Sequence, residues 1–183
     1  MRFTGRGGGA VLHGPGQVVV AMVAPLDDLG LGQHDVGGYL ARFEHGVAHA
    51  IRAVRCGSGL RQPGVHGLFG RTGLMAAVGV AVRRGVACHG AFVNVCPALD
   101  GHQRIDTVPA ALRGTPGRAA APFTMGSIEA DVQRRVRLQD VRTAVVQGLA
   151  DAFAFPRIHI NAGFPYPVRP VAPSQPEVVS RVG

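Results

Sequence analysis

The 183 residues, 46% hydrophobic and 16% charged, are long and apolar enough for one packed domain. All 19 basic side chains other than His are arginine, the formal net charge is +8, and aromatics are 5% with no Trp. The charge favours acidic partners, but the arginines are scattered apart from Arg83-Arg84 and Arg134-Arg135, with no aromatic residues interleaved to stack on bases, so nucleic acid is not an expected partner. No apolar run approaches the roughly 18 residues of a membrane span, and the polar, Gly-rich start does not read as a signal peptide. The cysteines Cys56, Cys88 and Cys96 form an odd set without CxxC spacing, which points to a reducing cytoplasm and to no metal site.

The first feature in chain order is a loop. Residues 6–17, from Arg6-Gly7-Gly8-Gly9-Ala10-Val11-Leu12 to His13-Gly14-Pro15-Gly16-Gln17, hold five glycines and one proline. Such a backbone lets a ligand approach closely. It lacks the Lys-Ser/Thr of a P-loop and runs into a strand, not a helix, so it predicts no nucleotide cofactor. Residues 17–23 predict a strand, uniformly apolar and therefore buried on both faces. Val36, Leu40, Phe43, Val47, Ile51 and Val54 recur at spacings of three and four, which predicts a helix over 35–54 with Asp35 as its N-cap.

Residues 56–64 read as a loop and 65–69 as a short strand. Residues 75–82 and 86–95 read as two strands joined by a tight turn at Arg83-Arg84-Gly85, with Pro97 ending the second. Residues 106–123, rich in Ala, Pro, Gly and Arg, read as a mobile surface loop. Ser127 is placed to cap a short helix reaching Gln133. Val141, Val145, Leu149 and Phe153 form one stripe of a helix over 139–155. Six prolines after residue 155 predict an extended tail. The organisation is thus a domain over 1–155 and a Pro-rich tail over 156–183. Strands early and helices late make the class α+β.

Cys88-His89 invites a nucleophile–base reading, but neighbours on a strand point to opposite faces. Cys88 and Cys96 share a face of one predicted strand, roughly 26 Å apart at about 3.3 Å per residue, too far for a disulfide. Both read as small buried residues. Gly90 permits close approach of a ligand or of a neighbouring backbone. Asn94 reads as the satisfier of a buried loop.

Taken in order, these motifs resemble the lipoyl(octanoyl) transferase family, within the biotin/lipoate A/B protein ligase group. Arg6-Gly7-Gly8 through His13-Gly14-Pro15-Gly16-Gln17 is similar to that family's substrate loop. Ala76-Ala77-Val78-Gly79-Val80 is similar to one of its strands, and His89-Gly90-Ala91-Phe92-Val93-Asn94 to a second. Met125-Gly126-Ser127-Ile128-Glu129 is similar to a helix start, continued by 136–145. The resemblance runs from residue 6 to about residue 155. It implies a mixed sheet with packed helices, like the biotin/lipoate protein ligase catalytic domain, and a tunnel for a medium-length acyl chain. It implies a substrate site lined by Arg6, Gly7, Gly8, Gly9, Ala10, Val11, Leu12, His13, Ala77, Val78, Gly79, Gly90, Ala91 and Phe92. Small apolar residues there suit an alkyl chain.

The family's reaction is acyl transfer. A cysteine takes octanoyl from octanoyl-acyl carrier protein with a lysine beside it, and passes it to a lysine of a lipoyl domain, in a 2-oxoacid dehydrogenase or the glycine cleavage H protein. A thiolate near a cation is what that chemistry needs. This chain departs from the pattern there. Leu74 stands at the lysine position and Val108 at the cysteine position, and the sequence holds no lysine. Val11-Leu12 replaces a Thr-Tyr pair before His13. Some sixty residues of strand and helix that precede the loop in the family have no counterpart. No catalytic residue carries over. The expectation is either an octanoyltransferase working through other residues, such as Thr107 or His13, or a non-catalytic acyl- or lipoyl-domain-binding relative. The second is favoured, because a threonine without a neighbouring base is a poor nucleophile. No cofactor is implied.

Overall fold

The structure is a computed structural model that describes residues 11–54, 57, 59–62, 64–104 and 124–159. The predicted loop over 106–123, the tail beyond residue 159, Arg6 to Ala10, Cys56, Thr107 and Val108 lie outside the described residues. The strands are β1 (Gln17–Ala21), β2 (Ala24–Pro25), β3 (Leu60–Gln62), β4 (Val65–Gly70), β5 (Gly73–Arg83) and β6 (Val86–Asn94). They form one sheet in the order β1-β6-β5-β4-β3, with β2 also on β6, and all named strands pair antiparallel. A parallel bridge joins Leu74 to Met125.

Helix α1 (Val36–Ala53) begins where the sequence places it: the Asp35 carboxylate accepts from the Gly38 amide at 2.8 Å. Of the predicted stripe, Phe43, Val47 and Ile51 are buried, along with Tyr39, Ala48 and Ala50, and Val36, Leu40 and Val54 are partly buried against the same core. Ser127 caps α2 (Ile128–Val132) by accepting from the Ala130 amide, and Gln133 closes it in the left-handed region. Helix α3 (Leu138–Ala152) buries Val141, Val145 and Leu149, with Phe153 just past its end. Helices α1 and α3 pack on one face of the sheet, with the rings of Tyr39, Phe43 and Phe153 in mutual contact. The Tyr39 hydroxyl is pushed up to about 12 by burial and then by nearby Cys88. The β5–β6 turn has Arg84 and Gly85 both at positive φ, the type I′ pattern that suits the twist of a hairpin.

Two expectations need correction. The apolar run over 17–23 is an edge strand, not one buried on both faces. Val18 is buried whereas Val19 is 60% exposed, and regular pairing stops at Ala21. An uninterrupted apolar run does not say whether a second layer covers its outer face. The predicted loop over 56–64 contains β3, exposed at all three positions, so its Leu-Arg-Gln sequence carries no burial signal. Among the described residues, no helix is long and apolar enough to cross a membrane.

Candidate functional site

The His13-Gly14-Pro15-Gly16-Gln17 turn is fastened to the sheet by one side chain. Gln17 Oε1 accepts from the Gly14 amide at 3.0 Å and meets His13 Nδ1 at 3.3 Å. Gln17 Nε2 donates to the Leu12 carbonyl at 3.1 Å and to Asn94 Oδ1 at 2.8 Å. Asn94 is fully buried, and its Nδ2 donates to the carbonyls of Leu74 and Gly126. Gly16 has φ +89, and its carbonyl accepts from the amides of Val95 and Cys96. A Cβ at Gly16 would lie 2.5 Å from the Cys96 carbonyl oxygen, so the close approach requires glycine. Asn94 thus satisfies a buried loop, and it also ties three of the four family-like motifs to one point, together with Leu74 on the strand that carries the other. The ring of His13 meets the edge of Phe92 at 5.6 Å.

The sheet face away from α1 and α3 carries a second apolar cluster. Phe69, Leu74, Phe92 and Met125 are buried in it, with Val11, Val65, Ala77 and Leu99 packed against them. A bulge decides its membership. Phe69 pairs with Leu74 and Leu68 with Ala76, which leaves Met75 as the extra residue. In a regular strand Leu74 would share a face with Ala76 and Val78. The bulge turns it to the side of Ala77 instead, and Met75, Ala76 and Val78 join the main core.

The expected substrate-site residues are divided by this geometry. Val11, Ala77 and Phe92 meet on the second face, with Leu12 and His13 in the adjoining turn. The side chains of Val78 and Ala91 belong to the core beneath the helices, because strand alternation sends them the other way. Gly79 and Gly90 are cross-strand partners. A Cβ at Gly90 would collide with the Val20 carbonyl and lie 2.9 Å from the Phe43 ring, so the close neighbours there are backbone and core. Arg6 to Ala10 lie outside the described residues.

Two further side chains matter here that the sequence reading passed over. Asp131 on α2 holds the β4–β5 turn: its carboxylate accepts from the amides of Arg71 and Thr72 and, at 2.7 Å, from the Thr72 hydroxyl. Burial by itself raises this carboxyl. The Thr72 hydroxyl, the two amides and the Arg71 charge outweigh it and hold the group below its ordinary value. A folded-state value below the unfolded one stabilises the fold at neutral pH, and that contribution fades as pH falls below about 4. We expect Asp131→Asn to be less stable at neutral pH and to show a flatter acid limb in urea unfolding measured across pH. An unchanged acid limb would contradict this role. The second is His102, in the 3₁₀ helix Asp100–Arg104, which is buried with neither ring nitrogen hydrogen-bonded. A lone His in a mixed stretch gives no periodic signal, so only the structure reveals it.

The Cys88 thiol turns to the carbonyl of its cross-strand partner Ala81 at 3.4 Å, and His89 beside it adopts a left-handed φ of 69. Cys88 is half-buried, and Cys96 is exposed beyond the end of β6, so neither is the small buried residue the sequence suggests. A cavity of about 780 Å³ lies elsewhere, between the end of α1 and the start of α3, with Arg134, Arg135, Arg137 and His49 on its walls. It borders none of the described site residues.

The lipoyl protein ligase A/B catalytic domain pattern matches residues 3–150. An octanoyltransferase of Geotalea uraniireducens is 33% identical over 156 residues, 84% of this chain and 66% of that protein. One from Geobacter metallireducens is 36% identical over 140 residues, 76% of this chain and 59% of that protein. The chain therefore spans no more than about two-thirds of the length of these relatives. Among solved structures, lipoate-protein ligase A bound with ATP superposes with a TM-score of 0.59 at 18% identity, covering 82% of this chain and 57% of that one. Biotin protein ligase from Aquifex aeolicus gives 0.52 at 8% identity, covering 76% and 53%. The expected α+β architecture of sheet and packed helices is the fold of these ligases. By the extent of its sequence match and by its relatives, the chain belongs to the lipoyl protein ligase A/B catalytic domain family.

Proposed function

We propose that this protein binds the octanoyl group of octanoyl-acyl carrier protein on the second face of the sheet. Its expected partner on the acceptor side is a lipoyl domain of a 2-oxoacid dehydrogenase or of the glycine cleavage H protein. As the chain is written, it is an acyl-binding relative of the octanoyltransferases and not a lysine–cysteine transferase. One observation carries this reading. Leu74, at the position where the resemblance implies a lysine, is buried with Phe69, Phe92 and Met125 beside Val11 and Ala77. An alkyl chain gains from such a surface, and a charged ammonium there would lose hydration.

The transferase reading is favoured by a different observation: relatives named octanoyltransferase match over 76–84% of this chain. Intact-mass spectrometry separates the two. The folded protein is mixed with octanoyl-acyl carrier protein and an apo lipoyl domain. We expect octanoyl binding, weakened by Arg6→Ala or His13→Ala, and no octanoyl increment on the lipoyl domain above a no-protein control. An increment would establish transfer through other residues, and any acyl adduct on this chain would name the nucleophile. Octanoyl binding indifferent to both substitutions would sink the pocket assignment.

A further inference from the structure

Among the described residues, the Tyr39 hydroxyl and the His102 ring are buried without a hydrogen-bond partner, and of the two His102 lies beside the candidate site. His102 is 6% exposed, and among the described residues its two ring nitrogens have no hydrogen-bond partner. A neutral imidazole carries one donor and one acceptor, and leaving both unmet in the interior costs free energy that an apolar residue would not incur. The Asp100–Arg104 turn that carries it belongs to the candidate site. It starts four residues after Cys96, which lies just past β6 and holds the Gly16 carbonyl together with the Val95 amide. The His102 amide donates to the Leu99 carbonyl, and the Leu99 side chain packs on the cluster of Phe69, Leu74, Phe92 and Met125. A Cβ on Gly101 would lie 2.9 Å from Leu12 Cδ2, so the turn leans on the residue before His13. His13 itself has Nδ1 engaged with Gln17.

We propose that His102 is the polar end of the acyl site and donates a hydrogen bond from its ring N–H to the carbonyl oxygen of a medium-chain acyl thioester. This rests on the acyl-face reading above. The cluster supplies apolar contact for the alkyl chain, and the thioester at its end needs a donor. A site built to pair a carbonyl discriminates against an analogue that lacks it, because its own donor is then left unmet.

The test compares two probes on the full chain by calorimetry: octanoyl-pantetheine, and S-octyl-pantetheine, in which the carbonyl is replaced by CH2. We expect the wild type to prefer the thioester about tenfold, a typical effect of one buried hydrogen bond. In His102→Phe that preference disappears while the melting temperature holds or rises, since two orphaned nitrogens are gone. Imidazole nitrogen NMR signals of His102 shift with the thioester and not with the thioether. If His102→Phe does not fold, the same NMR comparison on the wild type decides. Equal binding of both probes, or unshifted His102 signals on thioester binding, overturns the role of His102 and leaves the acyl face standing. Binding of neither probe overturns both.

Discussion

Replacing Asn94 by Ala is expected to cost on the order of 3–5 kcal/mol of stability. The side chain is fully buried and makes three hydrogen bonds: one from Gln17 and one each to the carbonyls of Leu74 and Gly126. Its removal takes one partner from each of three polar groups where water does not replace it, although Gln17 Nε2 keeps the Leu12 carbonyl and the Leu74 carbonyl keeps the Gly126 amide. Each carries a desolvation cost of about 1–3 kcal/mol, partly recovered as the site relaxes. The effect is also functional, since the Gln17 side chain loses its link to β6 and the His13 turn is left with the backbone bonds of the Gly16 carbonyl to Val95 and Cys96. Urea unfolding gives the stability loss, and octanoyl-pantetheine titration gives the loss of binding.

Asn94→Asp makes the argument sharper. A carboxylate in place of the amide faces two carbonyl oxygens, so its protonated form is favoured in the fold. A folded-state value raised above the unfolded one means the variant gains stability relative to wild type as pH falls. If Asn94→Ala lost less than about 1 kcal/mol, Asn94 would not be the tie that joins the motifs.

The second large effect is expected at Gly148. The backbones of α1 and α3 approach each other at Gly46 and Gly148. A Cβ on Gly46 would lie 2.8 Å from the Gly148 carbonyl oxygen, and one on Gly148 would collide with the Gly46 carbonyl. Replacing a mid-helix glycine by alanine gains about 1 kcal/mol of helix propensity. The collision outweighs that gain because the obstacle is backbone, which has no rotamer to escape into. Gly148→Val is expected to cost about 3 kcal/mol by separating the helices over Val47, Ile51, Val145 and Leu149. Gly46→Ala and Gly148→Ala remove the same contact, so their losses should combine less than additively. Thermal unfolding of the two single variants and the double variant measures this. A Gly148→Val protein as stable as wild type would show that the helices slide apart freely.

Much of the local structure follows from side-chain pattern alone. The stripe from Val36 to Val54 makes one face of α1, Asp35 and Ser127 cap their helices, and Arg83-Arg84-Gly85 turns the hairpin. These are short-range effects, in which a residue's own stereochemistry or a partner within one helical turn decides the outcome. The same local chemistry made the His13-Gly14-Pro15-Gly16-Gln17 turn legible as a turn, and the order of motifs pointed to the family.

What the tertiary structure decided depends on partners distant in sequence. Val19 is exposed because, among the described residues, no layer covers its face of the edge strand β1, and no property of the run Val18-Val19-Val20 announces that. Leu74 faces Ala77 because a bulge beside β4 inserts Met75, and a one-residue slip reverses the face of every side chain beyond it. The split of Val78 and Ala91 from Ala77 and Phe92 follows from the same pleat. The grip of Asp131 on Arg71 and Thr72, the contact of Gly46 with Gly148, and the burial of His102 each join segments that sequence spacing does not relate. Residue type and period fixed which elements form; the energy of packing one face against another fixed which side chains those elements bring to the site.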